Sequence, residues 1–561
     1  MTVVLVWLAA LPSLAAALGS WSRIALMFAV LIPLAACESV LALRYGASIN
    51  AHTLTIIWGT DSGEALGYLS SAWGWIGVAI TATALGLWAA WQLRRAPALA
   101  IVDRVRLGMC GFVATAATVA VLWLIVPADI TPNNGDVTSQ SMRTIERVFP
   151  WGLPSRILSF VRERARTQAQ IALSADFRFN SNAPADPRVV VMVIGESSRA
   201  SNWQLGGYAR ATNPRLMQRA TSGQGNLVWM RNYAANAVAT AESVPLMITR
   251  KPVGASSDFA ERSIVSAFSE AGYSTWWISN QATAGIHDLL IASYAQEAQH
   301  IHFENLADYF NQGAFDTALL PQVKRALASG SDKVFIVLHL MGSHYAYWDR
   351  YPANEAYFAA PGEAAHLTGS GEATTGSAVE TPLAKRWRDS YDDSIRQTDA
   401  VLDQVIELLA QDGRPAALVY ASDHGELLME PGCDKRWHGH GAREDVFASA
   451  LVWLSKHPEN APKARAAAFN ATLAVSGKDL FDSLLDAGDV MVPGKASRAS
   501  WFNPGYQVRP RRVTTFSGIV SPDLPFVGAC SVLSKSSGRV HVRVESVPGH
   551  AHNRSATEQD Q

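Results

Sequence analysis

The run Val189-Val190-Val191-Met192-Val193-Ile194-Gly195-Glu196-Ser197-Ser198-Arg199 decides the fold. Its β-branched and apolar residues suit a strand buried on both faces, the kind found inside a parallel sheet. The run stops at a glycine followed at once by an acid. In open α/β sheets, ligands collect just beyond the carboxyl ends of the strands, so Glu196 stands where a metal or ligand would. The competing reading is a helix start, where an acid is favoured beside the positive end of the dipole.

Working outward, strand-like runs at 189–194, 274–279, 334–338, 416–421 and 450–454 alternate with helical ones. Residues 394–409 carry Ile395, Leu402, Val405, Ile406 and Leu409 at helical spacing. The alternation predicts an α/β domain of roughly 350 residues around a mainly parallel sheet. Residues 360–381, rich in Gly, Ala, Ser and Thr, read as a mobile insertion. The polar tail after 549 reads as disordered.

Toward the N-terminus the composition changes. The chain has 561 residues, a formal net charge of −1 and 49% hydrophobic residues, and the apolar ones concentrate in its first quarter. Residues 24–43, 72–91 and 107–126 are each long enough to cross a bilayer. Residues 3–18 are shorter but equally apolar, and lack the basic flank of a signal peptide. Glu38 falls inside a span, where an acid should face a partner helix or an aqueous cavity. The short basic loop with Arg94, Arg95, Arg104 and Arg106 should be cytoplasmic, which puts everything after Pro127 on the far side. Residues 54–64, with Ile56, Ile57 and Trp58 beside Asp61 and Glu64, suggest an interfacial segment. Residues 131–136 are a turn-rich exit, and 144–175 a helical connector broken at Pro150 and Pro154.

The expected division is a transmembrane domain of about four helices at 1–127, a connector at 128–186, a catalytic domain at 187–530 and a tail at 531–561. Cys37 and Cys110 fall in spans as small apolar residues. Cys433 and Cys530 lie in an oxidising compartment and can pair. Four cysteines at these spacings do not make a zinc cluster, and a near-neutral chain gives no basis for a nucleic-acid partner.

Four segments carry chemistry. Asp423-His424-Gly425-Glu426 follows the strand-like run directly and offers a carboxylate and an imidazole to one ion; a buried, metal-free Asp–His pair is the alternative. Trp437-His438-Gly439-His440-Gly441 adds two imidazoles in a flexible loop. In Asn236-Ala237-Val238-Ala239-Thr240-Ala241-Glu242-Ser243-Val244-Pro245, Thr240 taken alone reads as a helix-start hydroxyl. His339-Leu340-Met341-Gly342-Ser343-His344 again lies just past a strand.

Taken in order, these segments resemble the alkaline-phosphatase/sulfatase superfamily, and within it the membrane-bound phosphoethanolamine transferases of Gram-negative bacteria. The matching pieces are GES with the later GGYARATNP, ATAESVPLM, SNQ, HLMGSH followed by RYP, YDDSIRQTD, and SDHGE followed by HG. The resemblance implies an N-terminal α-helical transmembrane bundle joined to a C-terminal α/β alkaline-phosphatase-like (sulfatase) domain. It implies a zinc site of Glu196, Thr240, Asp423 and His424, with Thr240 as the nucleophile. His344, with His438 or His440, would hold phosphate or a second zinc, and Asn280 would be a substrate-side residue. Zn²⁺ is the implied cofactor, one tight ion with room for a second, and another divalent metal is the alternative. The implied reaction moves phosphoethanolamine from phosphatidylethanolamine to lipopolysaccharide (core or lipid A) or a periplasmic glycan, through a phospho-threonine. The implied setting is the bacterial inner membrane, with the catalytic domain in the periplasm.

Departures leave the acceptor open. Asn236 and Leu246 stand where the lipid A-modifying branch has cysteines, and Ala284 where it has a lysine. WWISNQ and HLMGSH look more like the branch acting on the lipopolysaccharide core or on glucans. A sulfatase hydrolase would need a Cys/Ser-x-Pro-x-Arg stretch, and Ser243-Val244-Pro245-Leu246-Met247 lacks the arginine. A glycerol-phosphate transferase shares the threonine–metal logic with another headgroup. A membrane sensor or scaffold on an inactive enzyme fold should have lost a metal ligand, and all four are present. The orientation is checked by fusing a reporter after Pro127: activity outside the cytoplasm is expected, and activity confined to cytoplasmic reporters would overturn it.

Overall fold

The computed structural model describes residues 17–45, 49, 73–125, 152–223, 225–255, 259–281, 289–305, 313–360, 380–433, 435–494, 498–515 and 518–533. The expectations placed on residues 3–16, 54–64, 131–136, 144–151, 361–379 and the tail after 533 lie outside them.

The quoted run is β1 (Arg188–Gly195), buried along its whole length. Val190, Met192 and Ile194 point into one apolar core and Val189, Val191 and Val193 into a second on the opposite face, so neither side of the strand can be polar. Around it lie β2 (Asn226–Trp229), β3 (Ser274–Ser279), β4 (His300–Phe303), β5 (Lys333–His339), β6 (Ala416–Ser422) and β7 (Ala450–Leu454). They form one seven-stranded sheet in the order β2-β7-β6-β1-β5-β3-β4. β1 is parallel to β5 and β6, and β3 to β4 and β5; β7 runs antiparallel to both β6 and β2. The sheet is thus mainly parallel, as the sequence predicts. The sequence reading misses β2 and β4, because a four-residue strand at a sheet edge is too short to show a period.

Register places the site. Ile194 pairs with His339 and Ala421, Gly195 with Ser422, and Ser279 with His339. Four parallel strands therefore end at one level, and the segments after them, at Glu196, Asn280, Leu340 and Asp423, emerge on one rim.

Helix α6 (Pro382–Asp412) covers the second core with Trp387, Tyr391, Ile395, Leu402, Val405, Ile406 and Leu409. It begins well before the expected 394, behind Thr381, whose hydroxyl caps Ala384 N at 3.1 Å. The inward acids of its first half hide the apolar period. Asp392 takes Asn202 and Tyr208 hydrogen bonds at 2.6 and 3.0 Å and an ion pair from Arg210 at 2.7 Å. Asp399 accepts from Arg215 N and Leu216 N, and Asp393 from the backbone of 357–359. The YDDSIRQTD stretch is therefore a bracket that holds the neighbouring loops.

Toward the N-terminus lie α1 (Trp21–Tyr45), α2 (Trp73–Gln92), α3 (Ile101–Ile125) and α4 (Leu153–Leu173). The first three coincide with the expected spans at 24–43, 72–91 and 107–126. Among the described residues, one stretch, Trp21–Ser39, combines the length and apolarity needed to cross a membrane, and only 6% of it is buried. α1 and α2 touch closely at Gly86, where a Cβ would sit 2.7 Å from that of Ala29. Glu38 does face a partner: Arg156, at 2.8 Å, which also donates to Ile49 O at 2.9 Å. Arg156 belongs to α4, so this pair ties α4 to α1. Pro154 does not break α4. It lies in the first turn, where a missing N–H costs nothing.

Cys433 and Cys530 form a disulfide across 97 residues of sequence. The bond anchors the start of the His438 loop to the C-terminal end of the domain. Cys433→Ser/Cys530→Ser should lower the stability of the α/β domain by about 2–5 kcal/mol in denaturant unfolding, and speed amide exchange across residues 435–441. Unchanged exchange there would show that the loop is held without the bond.

Candidate active site

Glu196 and Asp423 leave adjacent strand ends and are fully buried. The turn that carries Glu196 is tight: Ser197 has φ +53°, a left-handed conformation unusual for a residue with a side chain. Tyr391 of α6 holds it, donating to Ser197 O at 2.6 Å and accepting from Arg199 N at 2.9 Å. Gly342 packs against the same turn, and a Cβ there would lie 2.9 Å from Glu196 N.

The second carboxylate is held by backbone. Asp423 Oδ1 accepts from Ser197 N at 3.1 Å and from His424 N at 2.8 Å. Its Oδ2 is buried without a hydrogen-bond partner and lies 3.4 Å from His424 Nε2. His424 donates Nδ1–H to Gly425 O at 2.8 Å. A carbonyl can only accept, so that contact fixes the proton on Nδ1 and leaves the Nε2 lone pair facing the acids. Gly425 is required by a close approach rather than a sharp turn: a Cβ would meet Glu444 O at 1.9 Å.

Thr240 completes the cluster. It is the first residue of α5 (Thr240–Ile248), and the cap position belongs to Ala239. Its hydroxyl is therefore not used as a cap. It donates to Glu196 Oε2 at 3.0 Å and lies 3.3 Å from His424 Nε2. The helix directs its positive end at this spot, where an alkoxide or phosphoryl group is favoured.

One ligand atom from each of Glu196, Asp423 and His424 falls within 4.8 Å of the others. Burial, then the Asp423 charge, pushes the Glu196 carboxyl well above its usual range. Neither acid pairs with a lysine or arginine among the described residues. Two buried carboxylates, an unpartnered oxygen, a hydroxyl and an imidazole lone pair converging on one point fit a divalent cation of the zinc type.

The histidines divide. His438 stacks toward His424 with ring centres 4.3 Å apart, and its Nδ1 is 3.2 Å from Glu426 Oε2. Burial alone would lower its pKa, but the Glu426 and Asp423 charges outweigh that and raise it to about 9, so the ring is an imidazolium at neutral pH. His440 turns away, with Nε2 3.0 Å from Arg436 O. His344 donates Nδ1–H to Tyr345 O at 2.6 Å. Burial, Arg350 and the two facing histidines lower it to about 3.

Asn280 is not brought to the cluster. Its amide donates to Asp316 Oδ1 and Ala314 O, both at 2.8 Å, while Asp316 receives the Met341 and Gly342 N–H groups. Asn280 therefore braces the 341–342 loop. The neighbouring Gln281 reaches Glu196 Oε2 at 3.3 Å instead. Sequence reading also missed Glu426, although it closes the SDHGE stretch.

With this geometry in hand, the relatives are informative. The Sulfatase family profile matches residues 188–490, more than half of the chain. "Putative transferase YhbX" of Escherichia coli K12 is 31% identical over 274 residues, 47% of this chain and 43% of that protein. "Phosphoethanolamine transferase EptC" of the same organism is 25% identical over 282 residues, 50% of this chain and 47% of that protein. The chain thus spans less than half the length of these curated relatives. Among solved structures, the C-terminal periplasmic domain of EptC from Escherichia coli in complex with Zn aligns with a TM-score of 0.52 at 22% identity, covering 61% of this chain and 95% of that one, which shows a shared fold. A profile match that begins with β1 and runs past both acids of the cluster makes the chain a member of the sulfatase family.

Proposed function

We propose that this chain transfers phosphoethanolamine from phosphatidylethanolamine to lipopolysaccharide, at the core or lipid A, or to a periplasmic glycan, through a phospho-threonine at Thr240. The observation that carries this reading is the Thr240 hydroxyl, released from capping and set between Glu196 and His424 at the start of α5. Relatives named phosphoethanolamine transferases support the headgroup.

In this reading Glu196, Thr240, Asp423 and His424 hold Zn²⁺. The ion, when bound, offsets the two carboxylates and makes a threonine hydroxyl nucleophilic at neutral pH. The Thr240 oxygen gives up its proton and forms the bond to phosphorus, and the bond from phosphorus to the lipid's glycerol oxygen breaks. That oxygen takes up a proton, and diacylglycerol leaves. An acceptor hydroxyl then attacks the same phosphorus, gives up its proton, and Thr240 departs as the leaving group. The His438 imidazolium would face the phosphoryl oxygens, where charge grows in both steps, while His344, neutral and bonded through Nδ1–H, suits a second zinc. Gln281 orients Glu196.

The proposed setting is the bacterial inner membrane, crossed several times within residues 1–127, with a connector at 128–186 and the catalytic domain outside the cytoplasm. A disulfide in that domain favours an oxidising compartment.

Two measurements test the site. Asp423→Ala should lose tightly bound zinc while circular dichroism stays native. A folded variant that keeps its zinc would make the Asp–His pair structural. Incubation with phosphatidylethanolamine should add one phosphoethanolamine to the peptide containing Thr240 and release diacylglycerol. Thr240→Ala should remove the adduct and slow transfer by roughly four to six orders of magnitude, whereas Thr240→Ser should retain part of it. Near-normal transfer by folded Thr240→Ala would sink the mechanism. A glycerol-phosphate adduct would keep the mechanism and replace the donor.

A further inference from the structure

Among the described residues six arginines are buried, and five of them meet a carboxylate. Arg156 pairs with Glu38, Arg188 with Glu459, Arg199 with Glu430, Arg219 with Asp403 and Arg511 with Asp523. The sixth, Arg350, is 5% exposed and has no ion pair among the described residues. Exposed arginines keep their charge in water, as Arg231 and Arg443 do where they line, with Phe447 and Phe526, a cavity of about 610 Å³ beside the His438 loop. A buried guanidinium has no such recourse, and arginine is almost never buried to this degree without a partner anion.

Arg350 ends the loop that carries His344. That loop is strapped over the turn of Glu196: Leu340 N bonds Ile194 O at 3.0 Å, and Ser343 N bonds Glu196 O at 2.9 Å. Arg350 folds back along it, donating from Nε to Ala346 O at 3.1 Å, two residues from His344. That bond to a carbonyl steadies the turn but leaves the charge unanswered, and Nη2 is buried without a hydrogen-bond partner. The nearby acids do not make up for it. Both oxygens of Asp316 are taken, by the Asn280 amide and by the Met341 and Gly342 N–H groups. Burial lowers the Arg350 pKa, and the charges of Asp349, Asp316 and Glu196 offset that only in part. A zinc ion on Glu196 would withdraw the last of these. The guanidinium is also felt at His344, which burial and Arg350 together keep neutral.

A guanidinium keeps its proton in proteins, and its fork of N–H donors matches the oxygens of a phosphate. We infer that Arg350 is a further catalytic residue, whose free donors take an oxygen of the donor headgroup's phosphodiester as Thr240 attacks it. Charge grows on that oxygen in the transition state, where a fixed, desolvated cation is most effective. The catalytic role rests on the transferase reading; the binding of a phosphate oxyanion does not.

The experiment uses the full, zinc-loaded chain in detergent, with glycerophosphoethanolamine, inorganic phosphate and ethanolamine as probes in calorimetric titrations. Arg350→Met should weaken glycerophosphoethanolamine and inorganic phosphate by at least about tenfold and leave ethanolamine unchanged. Arg350→Lys, which keeps the charge and loses the fork, should recover part of the phosphate affinity. Glycerophosphoethanolamine should raise the melting temperature of the parent and not that of Arg350→Met; a residue that only clasps its loop would lower both melting curves and leave the increment intact. In turnover Arg350→Met should slow formation of the Thr240 adduct by about a hundredfold or more, with Arg350→Lys in between. Equal affinity of parent and Arg350→Met for glycerophosphoethanolamine overturns the inference, as does an undiminished increment in melting temperature. Weakening of inorganic phosphate alone also overturns it, because the donor headgroup would then not meet Arg350. Should Arg350→Met not fold, Arg350→Lys with parental affinity and adduct rate overturns it in the same way. Absence of the Thr240 adduct in the parent would strike the transferase reading alone, because the titrations need no turnover.

Discussion

Two carboxylates share the fully buried end of the sheet, and the rest of the domain is arranged to keep them there. Like charges at this depth repel, and burial penalises each separately. Glu196 is driven toward its protonated form, and one oxygen of Asp423 goes without a donor. A chain that only needed stability would place apolar residues here. This one surrounds the pair with fixed supports: backbone N–H groups on Asp423, Ser197 and Gln281 on Glu196, and a histidine locked in the tautomer that aims its lone pair inward. The site is costly without a cation and well formed for one.

That cost is met by reach across the chain. Tyr391 sits in a helix 195 positions after Glu196 in sequence, yet its single hydroxyl holds both sides of the turn at Ser197 by donating to one backbone group and accepting from another. Further along the same helix, buried aspartates gather the loops at 202–216 and 357–359. The polar residues of that helix are the mortar between segments that carry the chemistry.

This arrangement explains what could be read in the sequence. β1 was legible because burial on both faces demands an unbroken apolar run. Asp423 and His424 were legible because adjacent residues of ligand type sit directly behind such a run. The start of α6 was hidden, since Asp389, Asp392 and Asp393 point inward, and a charged residue reads as surface until its partner is known. Asn280 and Gln281 are equivalent as letters. Only the strand's end geometry decides that the first braces a loop and the second touches Glu196. His438 and His440 likewise differ by a rotation of the loop that no spacing records, and only the fold shows that the carbonyl of Glu444 stands where a side chain at position 425 would lie.

The common level at which β1, β3, β5 and β6 end has a consequence for descent. The carboxylates and the imidazole rest on the rigid rim, while much of the lining of the neighbouring cavity, Arg443, Phe447 and Phe526 among it, comes from segments outside the parallel strands. Substitutions in those segments leave the strand register untouched. A lineage can therefore reshape that cavity by drift in peripheral stretches while the buried cluster on the rim stays as inherited.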